Sequence, residues 1–406
     1  MAAVETGRLR GGQPDYLLLL ATAALVIVGL LAVYTSSFAV GYLEFNDANY
    51  FVIRQTIFAM GGIFALVFFM RLDYHFLRSL SVAMMGAALL GLIAVLVPGV
   101  GVEHNGAARW LPAGPLELQP SEFAKLAMVV YISAWLSSRR EQLSDVSLGL
   151  LPFVLMVGVV GGLIVVEPDM GTAIVIVMTT VTLFFVAGAP LVHLALLFMA
   201  GSAAAWGMIL MQPYRLDRMA SFLSAENDPQ GTGFHILQLL IAQGSGGIAG
   251  LGWGASRQKF FYVPGAHTDG IFAIISEELG FIGAFLVLSL FVFFVYRGLR
   301  TTLQSRDQFG VLLSVGVVSW IAYQALINLG GITRTIPMTG IPLPFLSYGG
   351  SSLVSVMAGV GVLLSVSRYG REKGYHENEP YRKPRTAGGG SRGQRRTRTA
   401  QARGRA

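Results

Sequence analysis

The sequence predicts an all-α, polytopic integral membrane protein with about ten transmembrane helices and a large extracytoplasmic loop between helices 7 and 8. Of its 406 residues, 54% are hydrophobic and only 13% are charged, whereas soluble domains carry about 25% charged residues. Ten predominantly apolar stretches come close to the length of about 20 residues that crosses the hydrocarbon core of a bilayer. They are 16–34, 55–70, 79–97, 121–137, 146–166, 170–186, 191–211, 271–296, 309–329 and 351–367.

The first predicted helix follows a polar segment, residues 1–15, which we expect in the cytoplasm. The apolar run has no persuasive small-residue cleavage signature, so we interpret it as an uncleaved span and not as a signal peptide. The N-terminal segment, several short loops and the tail place 21 of the 29 Lys and Arg residues on one face, which predicts that both termini are cytoplasmic. The chain has no cysteine, which excludes disulfides and cysteine metal sites.

The connection between helices 3 and 4 places charged and aromatic groups at the outer border of the membrane. It contains Glu103, His104, Arg109, Trp110 and Glu117. Ser121 is a suitable N-cap for helix 4, with Glu122 in the first turn and Lys125 one turn further along. Two interpretations stay open for this pair: a local ion pair, or two side chains that line a polar cavity.

A very short turn, Glu167-Pro168-Asp169, joins helices 5 and 6. Pro168 suits the first turn of a helix, and Asp169 places a negative charge at the positive end of helix 6. Helix capping alone accounts for Asp169, and a role in a site is the alternative.

The loop 212–270 is long for a connection between helices, and such loops are usually functional or disordered. Its apolar content argues against disorder, and 234–241 is suited to lie flat as an interfacial helix, with a re-entrant arrangement as the alternative. Arg215 and Arg218 are three residues apart, which puts both on one side of a helix. They form either a fork for phosphate oxygens or basic side chains that reach the interface.

The end of this loop contains the first-choice catalytic candidate, Asp269, directly before helix 8. Asp269 is either an N-cap or a base whose pKa desolvation raises. The glycine-rich run 244–254, which precedes Lys259, is a weak phosphate signal, and close helix packing is the favoured interpretation. Glu277 and Glu278, further into helix 8, should face protein or trapped water.

Segments 262–280 and 337–352 place polar and backbone-exposing residues beside apolar runs of bilayer length. Such groups are costly near hydrocarbon unless they line a polar cavity, so both segments indicate a site and not an anchor. The second segment contains Ser347 and Ser351. No HExxH motif, cysteine pattern or nucleophile elbow occurs in the chain.

The tail 368–406 holds twelve of the 29 Lys and Arg residues and hardly any large apolar residue. This composition predicts a disordered, basic cytoplasmic tail. Contact with anionic lipid is the simpler interpretation, and partner binding is the alternative. Nothing suited to reading bases accompanies the charge, so no nucleic-acid partner is expected.

Several short segments, taken together and in this order, resemble the SEDS family of bacterial cell-wall proteins, the group of FtsW, RodA and SpoVE. The segments are 108–110, 119–122 with Lys125, 167–172, 215–222, 228–231, 257–262, 267–269, 277–280 and 337–352. The resemblance covers about residues 14–370, and the motifs are most similar to those of FtsW. The chain departs from the family at Gly265, where Glu is common, and at Gly270, where Phe is usual.

The resemblance implies that residues 16–367 form a SEDS transmembrane domain and that the protein is a peptidoglycan glycosyltransferase. Such enzymes polymerise lipid II, a disaccharide-pentapeptide on undecaprenyl pyrophosphate, on the outer face of the cytoplasmic membrane. A role in cell division at the septum is expected, with elongation and sporulation as alternatives. A lipid II flippase and a non-catalytic scaffold for a class B penicillin-binding protein are the competing functions.

The family's essential aspartate maps onto Asp269, which would act as the base toward a sugar hydroxyl. Nearby positive charge would stabilise the departing pyrophosphate. The candidate substrate-binding residues are Arg109, Trp110, Glu122, Lys125, Asp169, Arg215, Arg218, Lys259, His267, Ser347 and Ser351. No resident cofactor is assigned, and a divalent cation, Mg or Mn, at the pyrophosphate is an open alternative. The expected partners are lipid II, the undecaprenyl-pyrophosphate-linked glycan, a class B penicillin-binding protein, division proteins and the membrane.

Overall fold

The computed structural model describes residues 12–370, with gaps at 105–106, 115, 212, 232 and 306. Residues 1–11 and 371–406, which include most of the predicted N-terminal segment and tail, lie outside the described part. The helices are α1 (Tyr16–Phe45), α2 (Tyr50–Arg71), α3 (Tyr74–Leu96), α4 (Pro120–Ser138), α5 (Leu151–Val166), α6 (Met170–Val186), α7 (Leu191–Leu210), α8 (Pro213–Ser224), α9 (Phe234–Ser245), α10 (Ile271–Leu303), α11 (Gln308–Ile332) and α12 (Gly350–Gly370). The strands are β1 (Val102–His104), β2 (Ala107–Ala113) and β3 (Leu116–Leu118).

Each predicted span corresponds to one of these helices, so the predicted multi-pass helical fold is confirmed. Within the described ranges, eight helices are long and apolar enough to cross a membrane, and α6 is a shorter apolar helix. Several helices continue past their predicted ends. One example is α10, which continues through Arg297 because this side chain forms a buried ion pair with Asp15.

The centre of the bundle is formed by α11 and α12, whose large side chains, such as Trp320 and Leu363, are fully buried. By contrast, His193 is the one buried residue of α7. Large apolar side chains such as Phe64, Phe198 and Val292 are exposed on the outer surface of the bundle. In water such a surface would be unfavourable, and in a bilayer it contacts lipid.

One end of the bundle, here called the cavity end, collects the connections that the sequence singled out. The connection between α3 and α4, predicted as a loop, is an antiparallel meander in the order β1-β2-β3. Strand pairing depends on contacts between segments, which a propensity-based analysis of such short strands does not detect. The predicted loop 212–270 contains α8 and α9, and α9 covers the predicted interfacial segment 234–241.

The glycine-rich run packs into a break in α10. Gly280 has a φ of 65°, and a Cβ there would lie 2.3 Å from the backbone nitrogen of Gly250. The amides of Leu251 and Gly252 donate to the carbonyl oxygens of Glu277 (3.0 Å) and Glu278 (3.0 Å), which the break leaves free of helical partners. The favoured interpretation of this run, close packing, therefore agrees with the structure.

At the opposite end, the start of α1 lies against the end of α12. The Asp15 amide donates to Ser367 Oγ (3.1 Å), and its carboxylate caps α1. The Gly12 amide donates to the carbonyl oxygen of Arg368 (3.1 Å), whose side chain donates back to Gly12 (3.2 Å). Both ends of the described chain therefore lie on the same side of the bundle.

Candidate functional site

Asp269 lies in the turn before α10, and a buried amide fixes its backbone. Asn328, in α11, donates its Nδ2 to the carbonyl oxygens of Asp269 (3.0 Å) and Ile341 (2.8 Å). This bond pair joins the two segments that the sequence singled out, 262–280 and 337–352. Gly270 occupies the N-cap position of α10, so helix capping does not explain Asp269.

The Asp269 carboxylate is half-buried, and its surroundings act on it in opposite directions. Burial raises the pKa of Asp269 above its usual range, while His235, a hydrogen bond from Thr268 Oγ1 (3.1 Å) and Arg218 limit the rise. Gly340 lies between the charges: a Cβ there would be 3.8 Å from both Asp269 Oδ2 and Arg218 Nη2. The absence of a side chain at Gly340 leaves this space open.

On one side of Asp269 lies a cavity of about 260 Å³, here called the polar cavity. Its charged lining residues are Arg54, Arg109, Glu117, Glu122, Asp169 and Asp269. Trp110, Gln119, Tyr348 and Ser351 add a ring and further hydrogen-bonding groups. Alternating donors, acceptors and an aromatic face make this cavity suitable for a sugar.

Asp269 also lines a second cavity, of about 460 Å³, here called the arginine cavity. Arg109, Arg215 and Arg218 line it together with Asp269 and Gly340. Its apolar lining includes Met170, Ile174, Ile209, Ile327 and Ile336. Guanidinium groups bind phosphate oxygens in pairs, and the apolar wall suits an alkyl chain, so this cavity can accept a diphosphate with a lipid tail.

The two arginines of α8 line the same cavity, as their spacing predicts. Arg215 Nη1 donates to the carbonyl oxygen of Met208 (2.7 Å) near the end of α7. Arg218 Nη1 donates to the carbonyl oxygen of Met338 (3.2 Å) in the segment between α11 and α12. These bonds anchor α8 over the Asp269 turn.

Arg109 holds the turn between α5 and α6. Its Nε donates to the carbonyl oxygen of Glu167 (3.0 Å), and its Nη2 donates to that of Pro168. Glu167 itself is buried, and neither carboxylate oxygen has a hydrogen-bond partner among the described residues. Burial raises the pKa of Glu167 to about 8, and the negative charge of Asp169 adds to the rise.

Asp169 caps α6 and also lines the polar cavity. Its Oδ1 accepts from the Thr172 amide (3.0 Å), which is the predicted helix cap. Its Oδ2 accepts from Gln119 Nε2 (3.2 Å), and the residue lines the polar cavity. Capping therefore positions this carboxylate in the wall of the site.

Four predicted site residues lie outside the walls of both large cavities: Lys125, Lys259, His267 and Ser347. Lys125 Nζ donates to Glu122 Oε1 (2.8 Å) and Gln324 Oε1 (2.7 Å), so the predicted ion pair forms and holds Glu122 at the cavity wall. Ser347 Oγ accepts from the Leu343 amide (2.8 Å) and shapes the turn before α12.

Lys259 and His267 are buried in packing contacts. Lys259 Nζ donates to Glu278 Oε1 (2.9 Å), and Glu277 accepts from the Arg257 amide (2.9 Å), so both glutamates face protein as predicted. The His267 ring packs against that of Phe51, with 4.4 Å between centroids. Burial lowers the pKa of His267 to about 4, so the ring is neutral at physiological pH.

Four residues of the site, Arg54, Gln119, Tyr348 and Asn328, are not among the predicted site residues, although Gln119 and Tyr348 lie in segments that the sequence singled out. Arg54 lies just outside a predicted span, because α2 begins one turn earlier than predicted, at Tyr50. The Arg54 guanidinium lies 4.4 Å from the centroid of the Tyr50 ring. Asn328 is a polar residue within an uncharged apolar stretch, and that signal alone could have identified it.

The fold and the two cavities define a multi-pass membrane protein with a charged site at one end of its helices. The family described as "Cell cycle protein", for FtsW, RodA and SpoVE, matches residues 15–372. The chain therefore belongs to this family, which is the one that the sequence motifs indicated.

Named relatives and solved structures agree with this assignment. Stage V sporulation protein E of Bacillus subtilis is 44% identical over 359 residues, which are 88% of this chain and 98% of that protein. A "Probable peptidoglycan glycosyltransferase FtsW" of Trichlorobacter lovleyi is 37% identical, over 88% of this chain and 94% of its own.

Two solved structures share the fold. One is a chain from work on "structural coordination of polymerization and crosslinking by a peptidoglycan synthase complex", with a TM-score of 0.73 and 30% identity over 88% of this chain and 99% of that one. The other is the rod shape determining protein RodA of Thermus thermophilus, with a TM-score of 0.65 and 27% identity over 87% of this chain and 97% of that one.

Proposed function

We propose that this chain, a peptidoglycan glycosyltransferase, polymerises lipid II into glycan strands on the outer face of the cytoplasmic membrane. The observation that carries the proposal is the position of Asp269, which lines both the polar cavity and the arginine cavity. A transfer reaction of this kind needs a base beside one substrate and positive charge beside the leaving group of the other. Asp269 borders both cavities, so one carboxylate lies beside the polar cavity and beside the arginines.

In this mechanism the acceptor sugar lies in the polar cavity with its hydroxyl toward Asp269. The pyrophosphate of the donor lies in the arginine cavity, with the first part of its lipid chain along the apolar wall. Asp269 takes the hydroxyl proton as the oxygen attacks the anomeric carbon, and the pyrophosphate leaves with the bonding electrons. The raised pKa makes Asp269 a stronger base than an exposed aspartate.

The three arginines stabilise the charge that grows on the leaving oxygen. Arg215 and Arg218 are anchored through backbone carbonyls, so their guanidinium groups need little reorganisation during the reaction. Lys125, proposed from the sequence for the same task, is placed behind Glu122. Its role in the mechanism is therefore to hold the polar wall.

A divalent cation would need ligands from the substrate. Among the residues that the structure describes, no group of three or more His, Asp or Glu side chains could hold a metal ion. A Mg²⁺ or Mn²⁺ ion could nevertheless bind between the pyrophosphate and one or two carboxylates, as Mg²⁺ commonly does. Asp269 is the carboxylate among the described residues that lines the arginine cavity, so it would be the protein ligand of such a shared site.

The decisive experiment compares Asp269→Asn with the parent enzyme. Each is purified with its transpeptidase partner and given labelled lipid II, and the glycan strands are separated by length. Loss of the base should lower the rate by ~10²-fold or more. Asp217→Asn, an exposed aspartate on α8, is the matched control and should keep the parental rate. Equal rates for Asp269→Asn and the parent would exclude the base role and make translocation of lipid II, or scaffolding, the activity to measure.

The same proposal includes a class B penicillin-binding protein as partner and the division septum as location, with both chain termini in the cytoplasm. Support comes from the relative solved in a peptidoglycan synthase complex and from the family description as a cell cycle protein. Fluorescent fusions test the location: a septal band supports division, whereas labelling of the side wall or of a forespore supports elongation or sporulation.

A further inference from the structure

The connection between α9 and α10 carries an exposed aromatic surface that the candidate site does not use. Six large side chains, with 40% to 74% of their area exposed, make up what is here called the aromatic surface: Ile248, Leu251, Trp253, Phe260, Phe261 and Tyr262. None of them lines the polar cavity or the arginine cavity. An exposed set of this size and character is typical of a surface that contacts a partner or a membrane.

The backbone under the aromatic surface is held by buried acids of α10. Glu277 accepts from Ser256 Oγ (2.5 Å) and from the Arg257 amide (2.9 Å), and Glu278 pairs with Lys259 (2.9 Å). Phe261 has a φ of 67°, which is unfavourable for a bulky side chain and persists only where the surrounding structure fixes it. The rings are therefore exposed on a well-bonded support and not on a loose loop.

The aromatic surface continues the lipid-facing surface of α10. The amides of Phe281 and Ile282, just beyond the break in α10, donate to the carbonyl oxygens of Gly247 (2.9 Å) and Ile248 (3.2 Å). Phe281, Ile282 and Phe285 are all exposed on the lipid-facing half of this helix. The segment that carries the aromatic surface therefore lies directly beside side chains that contact lipid.

Helix lengths place this surface at the border of the bilayer. At a rise of about 1.5 Å per residue, α10 is about 28 Å long from Phe281 to Arg300. By the same measure α1 is about 33 Å long from Tyr16 to Phe38, and the Phe38 ring packs against that of Phe260, with 5.7 Å between centroids. Both lengths are close to the thickness of the hydrocarbon core, about 30 Å. Phe281 and Phe260 therefore lie at headgroup level, at the cavity end.

The charge of this segment complements an anionic headgroup. Residues 246–262 contain no acidic residue, and their two cations are Arg257 and Lys259. Lys259 is buried, whereas Arg257 is exposed. Trp and Tyr are enriched where a membrane meets water, and the guanidinium group of arginine matches the geometry of phosphate. Aromatic rings beside one exposed arginine are thus suited to the headgroup layer.

We propose that the aromatic surface inserts among the lipid headgroups at the cavity end, where Arg257 binds the phosphate of an anionic phospholipid. With both termini in the cytoplasm, as proposed above, this is the outer leaflet. Because Glu277 and Glu278 hold the same segment, the contact also sets the depth of the first half of α10 in the membrane. The inference concerns the lipid surroundings and does not depend on the proposed reaction.

The first test measures the depth of the aromatic surface. The chain has no cysteine, so one introduced cysteine can carry a nitroxide label without background. Trp253→Cys and Phe261→Cys report on the surface, Phe285→Cys reports on the lipid-facing helix, and Gln230→Cys, at an exposed position of the same connection, reports on water. Each is placed in vesicles of phosphatidylglycerol and phosphatidylcholine, alone and with the transpeptidase partner, and power saturation gives the access of oxygen and of a water-soluble nickel complex.

We expect the labels at 253 and 261 to show a ratio of oxygen access to nickel access between those at 285 and 230, with and without the partner. A ratio equal to that at 230 would place the surface in water. Loss of access to both reagents when the partner binds would make it a protein interface. Either result would overturn the proposal.

The second test addresses the headgroup. A ligand of the folded state raises the melting temperature, so phosphatidylglycerol is titrated into the parent, Arg257→Gln and Arg257→Lys in detergent. The concentration that gives half of the rise should be about fivefold higher for Arg257→Gln, since one cation near an anionic lipid surface contributes about this factor. Arg257→Lys, which keeps the charge, should stay close to the parent. Equal titrations for all three proteins, or the same rise with glycerol phosphate, which lacks acyl chains, would exclude the phospholipid contact of Arg257.

Discussion

The buried amide of Asn328 helps to fix the position of the candidate base. Its two hydrogen bonds reach backbone carbonyls of segments that are far apart in sequence. Backbone carbonyls have no freedom to seek other partners once the helices have packed. The position of Asp269 relative to both large cavities therefore depends on this side chain of α11, together with the bond from the Tyr348 amide to the carbonyl oxygen of His267 (2.8 Å).

We expect Asn328→Ala to reduce both stability and rate. Two carbonyl groups lose their partner, and an unsatisfied buried acceptor costs about 1–3 kcal/mol. The control is Gln243→Ala, which removes an amide that bonds the carbonyls of Leu239 and Ile332 (3.0 Å each) outside the cavities. The melting temperature in detergent should fall by a similar amount in both variants. Only Asn328→Ala should lower the polymerisation rate per folded molecule.

Glu167 makes the stability of the protein depend on pH. Because burial raises its pKa from 4.5 to about 8, the folded chain keeps a proton in this interval that the unfolded chain releases. The contribution of this proton to the free energy of unfolding is full at low pH and is lost as the pH rises through about 8. Glu167→Gln cannot ionise, so its melting temperature should fall less than that of the parent between acidic and alkaline buffers. An exposed control, Glu141→Gln, should follow the parent.

At the scale of elements, α8 carries two of the three arginines of the arginine cavity, and its far end is fastened to the end of α11. Arg334 Nε donates to the carbonyl oxygen of Phe222 (3.0 Å), and its guanidinium pairs with Glu226. Because Arg334 bonds both a carbonyl and an acid, it restricts the position of α8 from outside the site.

Arg334→Ala should therefore raise KM for lipid II more than Glu226→Ala does. The first change removes the carbonyl bond and the ion pair, whereas the second removes only the exposed pair, which salt screens. Steady-state rates at low and high ionic strength test this: the Glu226→Ala effect should vanish at high salt, and the Arg334→Ala effect should persist. If the two variants raise KM equally at low and at high ionic strength, the bond from Arg334 to the Phe222 carbonyl contributes nothing to KM.

The elements differ in how well they could be predicted. The spans follow from apolar length, because the bilayer sets one dimension for all of them, and the helix of Arg215 and Arg218 follows from their spacing. The meander at 102–118 and the break at Gly280 depend on pairing between distant segments, which local patterns do not contain. Cavity lining also depends on how distant segments pack. Candidate site residues could therefore be proposed from the loop sequences, but which of these residues line a cavity could not be predicted.

For the whole molecule, the joint between α1, α10 and α12 closes the bundle at the end opposite to the cavities. Asp15 and Arg297 form a buried ion pair there, with side chains 2% and 5% exposed. A buried charge that loses its partner is strongly destabilising, by about 3–5 kcal/mol. Such a joint limits how far the ends of these three helices can separate.

We expect Asp15→Ala and Arg297→Ala each to lower the free energy of unfolding by about 3–5 kcal/mol, and the double variant to cost clearly less than the sum. The reason is that the second change removes a charge that the first has left unpaired. Unfolding midpoints in detergent measure the cycle. Strict additivity would mean that the two side chains do not interact in the folded protein.

The break at Gly280 has a consequence for the lipid environment of the enzyme. Because the helical hydrogen bonding of α10 is interrupted there, the first half of α10 is held by the 246–252 segment and the turn that carries Asp269 is held by α11, and neither depends on the lipid-facing half of α10. A thinner or thicker bilayer changes the tilt of that half without displacing the reacting groups. The polymerisation rate in vesicles should therefore vary little with acyl-chain length, so that one enzyme can serve a membrane whose thickness changes with growth temperature.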